Sequence, residues 1–224
     1  DDVKVTVADG ATESLLSGSW AKALSHSVAT EQLRHRHWPD AIKSAIQDWP
    51  AYLNSYREDR ILRNKPVAWY EEPGLERGAE ATLAALRLRN PRSGRPGCWW
   101  SMAVGDATLF QIRGETCNRA FPMRRSCDFN TAPDLIRSLD HESSFKKRLK
   151  KTKGDWQPDD LFFLCTDALA AWFLERLEDE DQPWSIWRDF GSSDCQTFPS
   201  WVDNERACGR LKNDDVTLVR VHCF

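Results

Sequence analysis

The chain has 224 residues, which suffices for one sizeable domain or two small ones, and a single domain is the better expectation. Hydrophobic residues make up 41% of the sequence, with 11 Trp and 10 Phe, so a large core can form and disorder is not expected over most of the length. The 31 basic and 34 acidic side chains leave a net charge of −3, which excludes a global field that attracts nucleic acid or an acidic membrane.

The cysteines and the hydropathy pattern favour a cytoplasmic protein. The 7 cysteines are scattered and form no CxxC pair, which argues against a disulfide framework and against a zinc ribbon. No segment reaches the roughly 20 apolar residues that cross a bilayer, and no signal-peptide pattern opens the chain. Because the sequence begins at Asp1 without an initiator Met and enters a strand almost at once, we expect a further N-terminal portion in the natural protein.

The first predicted elements are a strand followed by a helix. Residues 3–8 alternate with β-branched side chains and end at Asp9-Gly10, a pair suited to a sharp turn. From residue 12 onward the spacing of apolar residues changes from two to four, which predicts an amphipathic helix. Its buried face would carry Leu16, Trp20, Leu24 and Val28.

Two further helices are predicted in the first half of the chain. Residues 37–57 place large apolar side chains at helical spacing, and Pro50 is expected to kink or restart this helix. Residues 74–89 are rich in Ala and Leu and give the strongest helix prediction of the sequence.

The middle of the chain predicts a hairpin and a long insertion. After turn-forming residues at 90–97, residues 98–104 and 107–113 are extended and joined by Gly105-Asp106, which predicts a β-hairpin. Residues 116–157 are polar with weak periodicity and are expected to form an irregular, flap-like insertion of functional or mobile character.

The last third predicts a strand, a helix and a final strand. Residues 160–165 form a short apolar strand, and Thr166-Asp167 opens a helix. The pair Asp214-Asp215 precedes an alternating strand at 216–221. Strands at both ends and in the middle, with helices in irregular order between them, favour an α+β layered domain over a parallel doubly wound one.

Three aspartates follow or precede short strands, namely Asp9, Asp167 and Asp214. Mg²⁺ and Mn²⁺ prefer carboxylate, carbonyl and water oxygens, which carboxylates on separate rigid strands can provide. Two such ions about 3.5–4 Å apart would hold and deprotonate a bridging water for attack on a phosphate. Ordinary turn and cap chemistry is the better explanation for any one aspartate taken alone, so this spacing does not establish a site.

Five short motifs follow one another along the chain, namely VADG at 7–10, GAEAT at 78–82, AVGD at 103–106, FFLCTDAL at 162–169 and NDDVTLV at 213–219. Together they resemble the ordered motif series of the bacterial type 2C Ser/Thr protein phosphatases. In that family the series runs as an Asp-Gly turn, a Gly-Ser/Thr-Ala helix, a Gly-Asp-Ser turn, a Ser-Asp-Gly turn and a final Asp-Asn before a Thr-containing strand. The resemblance spans nearly the whole chain.

The resemblance implies a site with two Mn²⁺ or Mg²⁺ ions. It implies that Asp9 bridges both ions, that the Gly10 carbonyl ligates one, that Asp167 and Asp214 complete the other, and that Asp106 helps to hold a third ion. The implied reaction is attack of the metal-bridging water on phosphoserine or phosphothreonine, with Asp9, Asp167 and Asp214 as the catalytic set.

The implied fold is a four-layer α-β-β-α sandwich, in which two antiparallel sheets are flanked by helices. Residues 1–224 would form this single domain, with residues 116–157 as a flap beside the site. The implied partners are a phosphorylated protein substrate and signalling proteins, with neither nucleic acid nor membrane.

The sequence also departs from the family pattern. Residues 11–14 replace a further Gly-Gly, residues 166–168 read Thr-Asp-Ala in place of Ser-Asp-Gly, and Asp214-Asp215 replaces Asp-Asn. Each change spares the carboxylate. The family places a phosphate-binding Arg and a Glu-Asp pair before the first strand, and no Arg precedes Val3 here.

Three functions remain open from these residues. The first is a phosphoprotein phosphatase whose missing residues lie upstream in the natural protein. The second is a catalytically weak or inactive pseudophosphatase that acts as a protein-interaction module. The third is a metal-dependent hydrolase of a small phosphoester.

Four other features favour ordinary structural explanations. The basic run at 146–153 suits a solvated face, although contact with substrate from the insertion is an alternative. His35 and His37 lack a third ligand nearby, and Cys165 lies in a predicted buried strand, where a thiol is a small apolar side chain. The consecutive Trp99 and Trp100 would point to opposite faces of a strand.

Overall fold

A computed structural model describes residues 2–30, 37–91, 96–130, 132–191 and 196–224. In chain order its elements are β1 (Asp2–Gly10), α1 (Ser17–Thr30), α2 (Trp38–Leu62), α3 (Glu72–Arg77), β2 (Glu80–Arg89), β3 (Gly97–Val104), β4 (Thr108–Arg113), β5 (Thr116–Phe121), β6 (Ile136–Arg137), α4 (Glu142–Arg148), β7 (Lys150–Trp156), β8 (Leu161–Cys165), α5 (Asp167–Glu178), α6 (Trp184–Asp189), α7 (Thr197–Ala207) and β9 (Leu218–His222). None of the helices in these ranges is long and apolar enough to cross a membrane.

The strands form two antiparallel sheets. The first has the order β1-β2-β3-β7, with the short β6 paired to the start of β2, and the second has the order β5-β4-β8-β9. Apolar side chains from the two sheets meet in a common core, in which Val7, Leu86 and Trp99 of the first sheet pack with Leu109 and Phe162 of the second.

Helices cover the outer face of each sheet. Trp20, Leu24 and Trp49 of α1 and α2 pack on Leu83 and Met102 of the first sheet. On the other side, an aromatic cluster joins α5, α6 and the second sheet, and it contains Phe110, Phe163, Phe173 and Trp187. The layers therefore run helix, sheet, sheet, helix, which confirms the predicted α+β sandwich.

The prediction of a helix at 74–89 is wrong. Within this range only residues 74–77 are helical, as the end of the six-residue α3. Residues 80–89 form β2, which pairs with β1 on one side and β3 on the other. Alternate side chains of β2 contribute to the outer core and to the core between the sheets, since Leu83 lies in the former and Leu86 in the latter. A strand buried on both faces has no apolar-polar alternation, so its Ala and Leu content suggested a helix.

The predicted hairpin around Gly105-Asp106 is also wrong. β3 pairs with β2 and β7, whereas β4 pairs with β5 and β8, so this connection crosses from one sheet to the other. Gly105 has φ +90°, and a Cβ at this position would lie 2.6 Å from Cγ2 of Thr82. The tight passage between the sheets therefore requires glycine.

Residues 116–157 are more regular than expected, because they contain β5, β6, α4 and β7. The basic run lies on the end of α4 and along β7, where Lys150, Lys151 and Lys153 are exposed on the edge strand of the first sheet. Charged side chains at an open sheet edge oppose pairing with other strands. Pro50 does not restart the helix either, since α2 continues through it to Leu62.

Candidate metal centre

One end of the sandwich contains a cavity of about 510 Å³ built from both sheets. The carboxyl ends of β1, β3 and β8 and the amino ends of β2 and β9 all reach this end, because neighbouring strands are antiparallel. The cavity is lined by Asp9, Gly10, Ala11, Thr12, Glu13, Glu80, Thr82, Asp106, Asn130, Ala132, Pro133, Leu135, Arg137, Asp167, Lys212, Asp214 and Asp215. The five residues predicted from the sequence as metal ligands thus line a single cavity.

Asp9 and Gly10 end β1 opposite Thr82 and Ala81 of β2. A Cβ on Gly10 would lie 2.5 Å from the carbonyl carbon of Ser17, so the start of α1 packs directly against this glycine. The following turn is held to β2, since the Ala11 N–H donates to the Glu80 carbonyl at 2.9 Å. The Asp9 carboxylate is therefore presented from a rigid strand end.

The segment after Gly10 is also anchored. The Glu80 N–H donates to Oγ of Ser14 at 2.8 Å, so one of the residues that replace the family's further Gly-Gly closes the turn around the cavity. This contact helps to hold the turn that follows the Asp9 carboxylate.

Thr166 links the segments that carry Asp167 and Asp214. Its hydroxyl donates to the Asp215 carbonyl at 3.2 Å and accepts from the Thr217 N–H at 3.1 Å. Asp167 then occupies the first turn of α5, where a carboxylate is favoured by the helix dipole. One oxygen of Asp167, Oδ1, is buried and has no hydrogen-bond partner among the described residues.

Burial and mutual repulsion oppose ionisation of two carboxyl groups in the cavity. The pKa of Asp9 is raised to about 7, first by burial and then by the charges of Asp167 and Asp214. The pKa of Asp106 is raised to about 6, again first by burial and then by Asp167. The cavity therefore holds more negative charge than its own cations neutralise.

Lys212 is the cation nearest to these carboxylates, and the sequence did not single it out. Its Nζ lies 2.9 Å from Oδ2 of Asp214 and 3.5 Å from Oδ2 of Asp167. The hydrogen bond from Lys212 is the main cause that lowers the pKa of Asp214. A second cation, Arg137, lines the cavity but is paired with Glu80 at 2.6 Å.

The donor set fits a hard divalent cation. The negatively charged side chains that line the cavity are all carboxylates. Hard cations such as Mg²⁺ and Mn²⁺ prefer oxygen ligands of this kind. Among the described residues, Oδ1 of Asp167 and the buried hydroxyl of Thr82 have no hydrogen-bond partner, so both oxygens are free to bind a cation. Across the described ranges, no three His, Cys, Asp or Glu side chains already lie close enough together to hold a metal ion. The carboxylates must therefore move toward a bound ion.

The other residues considered from the sequence lie elsewhere. His37 pairs with Asp40 at 2.9 Å on the surface, while His35, Asp1 and residues 92–95 lie outside the described residues. Cys165 is fully buried, and burial raises the pKa of its thiol, so it is a poor nucleophile.

The consecutive tryptophans point to opposite faces of β3, as predicted. Trp99 is buried between the sheets against Phe162, with ring centroids 5.8 Å apart. Trp100 packs on the outer face, where the guanidinium of Arg89 lies 4.9 Å from its ring centroid.

Neither a scan of protein-family models nor a search of curated protein sequences gives a match to this chain. Solved structures, however, share its fold. The Mycobacterium tuberculosis serine/threonine phosphatase PstP/Ppp has 13% identity and a TM-score of 0.58, covering 99% of this chain and 88% of that one. The catalytic domain of serine/threonine protein phosphatase PstP, in complex with two manganese ions, has 12% identity and a TM-score of 0.55 over the same shares.

A third similar structure is the photosystem II phosphatase PBCP, with 12% identity and a TM-score of 0.55, covering 100% of this chain and 91% of that one. Identities this low show a common fold and do not by themselves show a common activity. The chain therefore has the type 2C phosphatase fold that its five motifs indicated.

Proposed function

We propose that this chain is a metal-dependent phosphoprotein phosphatase that acts on phosphoserine or phosphothreonine. The observation that carries the proposal is the convergence of Asp9, Asp106, Asp167 and Asp214 on one cavity at the end of a phosphatase fold. Fold alone does not determine function, so the carboxylate cavity is the decisive part of the argument.

The residues have separate roles in this proposal. Asp9 would hold two ions together and Gly10 would contribute its carbonyl oxygen, while Asp167 and Asp214 would complete the second ion and Asp106 would assist a third. When bound, Mn²⁺ or Mg²⁺ supplies a Lewis acid and lowers the pKa of a coordinated water, which makes it a nucleophile at neutral pH. The backbone segments that carry these carboxylates would stay in place, while the carboxylate side chains turn toward the ions.

A phosphorylated side chain is the substrate that suits this cavity. The cavity lies at one end of the sandwich, and Asn130 and residues from the segment 132–137 form one of its walls. A second cavity of about 420 Å³ shares Asn130, Ala132 and Pro133 with the first, and its charged lining residues are Asp128, Asp134 and Lys150. This neighbouring cavity supports a role for part of the 116–157 segment in substrate contact.

The alternative is a pseudophosphatase that binds a protein partner. The position of Lys212 favours it, because an ammonium group lies between two carboxylates that the reaction requires for metal. In either case we infer a reducing cytoplasm as the location. This is supported by the free thiols of Cys98, Cys117, Cys127, Cys165, Cys208 and Cys223.

The test is hydrolysis of a phosphothreonine peptide by the full-length protein with and without Mn²⁺, with p-nitrophenyl phosphate as a small phosphoester for comparison. Asp9→Asn and Asp167→Asn should each reduce kcat at least a hundredfold, whereas Asp48→Asn on the exposed face of α2 should leave it unchanged. Both site variants keep the side-chain shape, so circular dichroism should show an unchanged fold.

Each outcome separates the alternatives. Metal-dependent activity on the peptide that needs both aspartates supports the phosphatase. Activity confined to the small phosphoester supports the small-molecule hydrolase. A folded protein that binds Mn²⁺ and hydrolyses neither compound supports the pseudophosphatase and rejects the proposed activity.

A further inference from the structure

Lys212 lies in the loop after α7, and its side chain contacts two carboxylates of the proposed metal site. Its ammonium contacts carboxylates from two different elements, Asp167 at the start of α5 and Asp214 just before β9. Lys212 and Asp167 are 45 positions apart in the chain, so only the folded structure brings them together. The ammonium takes the place that a shared cation would take between them.

The loop that carries Lys212 is held on both sides. The Arg210 guanidinium donates to both oxygens of Glu205, at 2.9 and 2.6 Å, and Leu211 is buried. On the far side, Arg206 donates to the Asp214 carbonyl, and the Asp214 N–H donates to the Lys212 carbonyl at 3.0 Å. These contacts hold the backbone on each side of Lys212, so the folded loop directs the Lys212 side chain toward the cavity.

The side chain itself can still leave. It is 66% exposed, so its four-carbon stem lies largely in solvent and its ammonium can exchange its carboxylate contacts for water. Asp167 is different, since its side chain is only 22% exposed and Oδ1 has no partner among the described residues. A cation of higher charge that contacts both oxygens of Asp167 would therefore bind this pair more strongly than the ammonium does.

We propose that Lys212 is an internal cation that occupies the Asp167–Asp214 pair, so that a metal ion reaches this pair only by displacing the ammonium. This inference rests on the metal site proposed above. It divides that site into two parts: the Asp9–Gly10 side, and the Asp167–Asp214 side, where the Lys212 ammonium competes with the metal ion. The protein at low metal concentration then holds one ion fewer than at high concentration.

The test is calorimetric titration with Mn²⁺ alone, which needs no substrate and no activity. Lys212→Gln removes the charge and should tighten one Mn²⁺ step about tenfold, because a competing cation that lies 2.9 Å from Asp214 and 3.5 Å from Asp167 is lost. Lys212→Arg retains the charge and should bind like the unaltered protein. The matched control is Lys43→Gln, which removes an ion-paired lysine that contacts Glu142 away from the cavity.

A double variant assigns the tightened step to the pair. Asp214→Asn added to Lys212→Gln should abolish the gain, because the site that Lys212 releases would then lack one of its two carboxylates. If the gain persists in the double variant, the competition is not at this pair and the inference is overturned.

The remaining outcomes separate this inference from the metal site itself. If Lys212→Gln binds Mn²⁺ with the same affinity as the unaltered protein, or more weakly, Lys212 does not compete with the metal ion and the inference is overturned. The proposed metal site would still stand, because both proteins bind Mn²⁺. If neither protein binds Mn²⁺ at millimolar concentration, the metal site fails and the inference fails with it.

Discussion

Asp9 is the carboxylate whose ionisation the metal-free protein opposes most strongly, since its pKa rises to about 7 from an ordinary value of 3.8. Below pH 4 the group is protonated in both the folded and the unfolded chain and has no effect on stability. Between about pH 4 and pH 7 the folded protein keeps a proton that the unfolded chain has released, so the free energy of unfolding falls as the pH rises. Above about pH 7 Asp9 is ionised in both states, and the free energy of unfolding is lowered by the full amount that the difference in pKa implies.

Replacing Asp9 by Asn should therefore stabilise the metal-free protein at high pH. In EDTA at pH 8 we expect Asp9→Asn to raise the free energy of unfolding by about 1–3 kcal/mol, less than the full shift implies because the side chain is only partly buried. The gain should vanish near pH 4. Urea denaturation at the two pH values measures it, with Asp48→Asn as control. A variant that is no more stable than the unaltered protein at pH 8 would contradict the raised pKa.

The sequence identified the carboxylates of the cavity but not the lysine among them. Asp9, Asp167 and Asp214 lie beside predicted strands, but their shared role was implied by the resemblance of five ordered motifs to a known family, and the role of Asp106 by that resemblance alone. Lys212 lies among polar residues after a helix and looks like an ordinary solvated charge, since its contact with Asp167 depends on packing across the sandwich. Thr82 and Asp215 line the cavity and lie within two of the five motifs, but they were not predicted as site residues.

At the scale of elements, the sequence was most reliable where one face of an element meets solvent. The helical face of Trp20, Leu24 and Val28 and the first strand were predicted because apolar and polar positions alternate there. β2 failed because both of its faces are buried. The predicted hairpin failed because two adjacent strands in different sheets have the same local pattern as two paired strands, and only the core between the sheets distinguishes them.

At Gly105 the chain passes from one sheet to the other, and this connection packs closely against Thr82. Gly105→Ala places a Cβ 2.6 Å from Thr82 and must also hold φ near +90°, so we expect a loss of about 2–4 kcal/mol in the free energy of unfolding. The matched control is Gly114→Ala, also at positive φ but with no atom within 4 Å of the new Cβ, which should lose about 1 kcal/mol.

Because Asp106 follows Gly105 directly, the same variant should weaken Mn²⁺ binding, whereas Gly114→Ala should not. Chemical denaturation and calorimetry of the two variants measure both effects. Equal losses of stability in the two variants would show that the connection tolerates a side chain and that the close approach to Thr82 is relieved without cost.

At the scale of the whole molecule, the cavity joins the two sheets at one end of the sandwich. β1 and β2 approach it from the first sheet, β8 and β9 from the second, and the β3–β4 connection crosses between them. A cation bound there would contact both sheets and would relieve the repulsion that raises the pKa of Asp9 and Asp106. Metal binding should therefore stabilise the entire fold and not only the local loops.

Thermal unfolding in Mn²⁺ tests this coupling directly. A ligand that binds only the folded state at 100 times its Kd adds about 2.7 kcal/mol, which for a chain of this size corresponds to a rise in Tm of about 5–10 °C. Asp167→Asn should lose most of this rise, because a neutral amide is a weaker ligand for a divalent cation than the Asp167 carboxylate. Asp48→Asn should keep the rise. If Mn²⁺ leaves the Tm of the unaltered protein unchanged, the carboxylates of the two sheets do not share an ion. Their repulsion would then lower the free energy of unfolding whether or not Mn²⁺ is present.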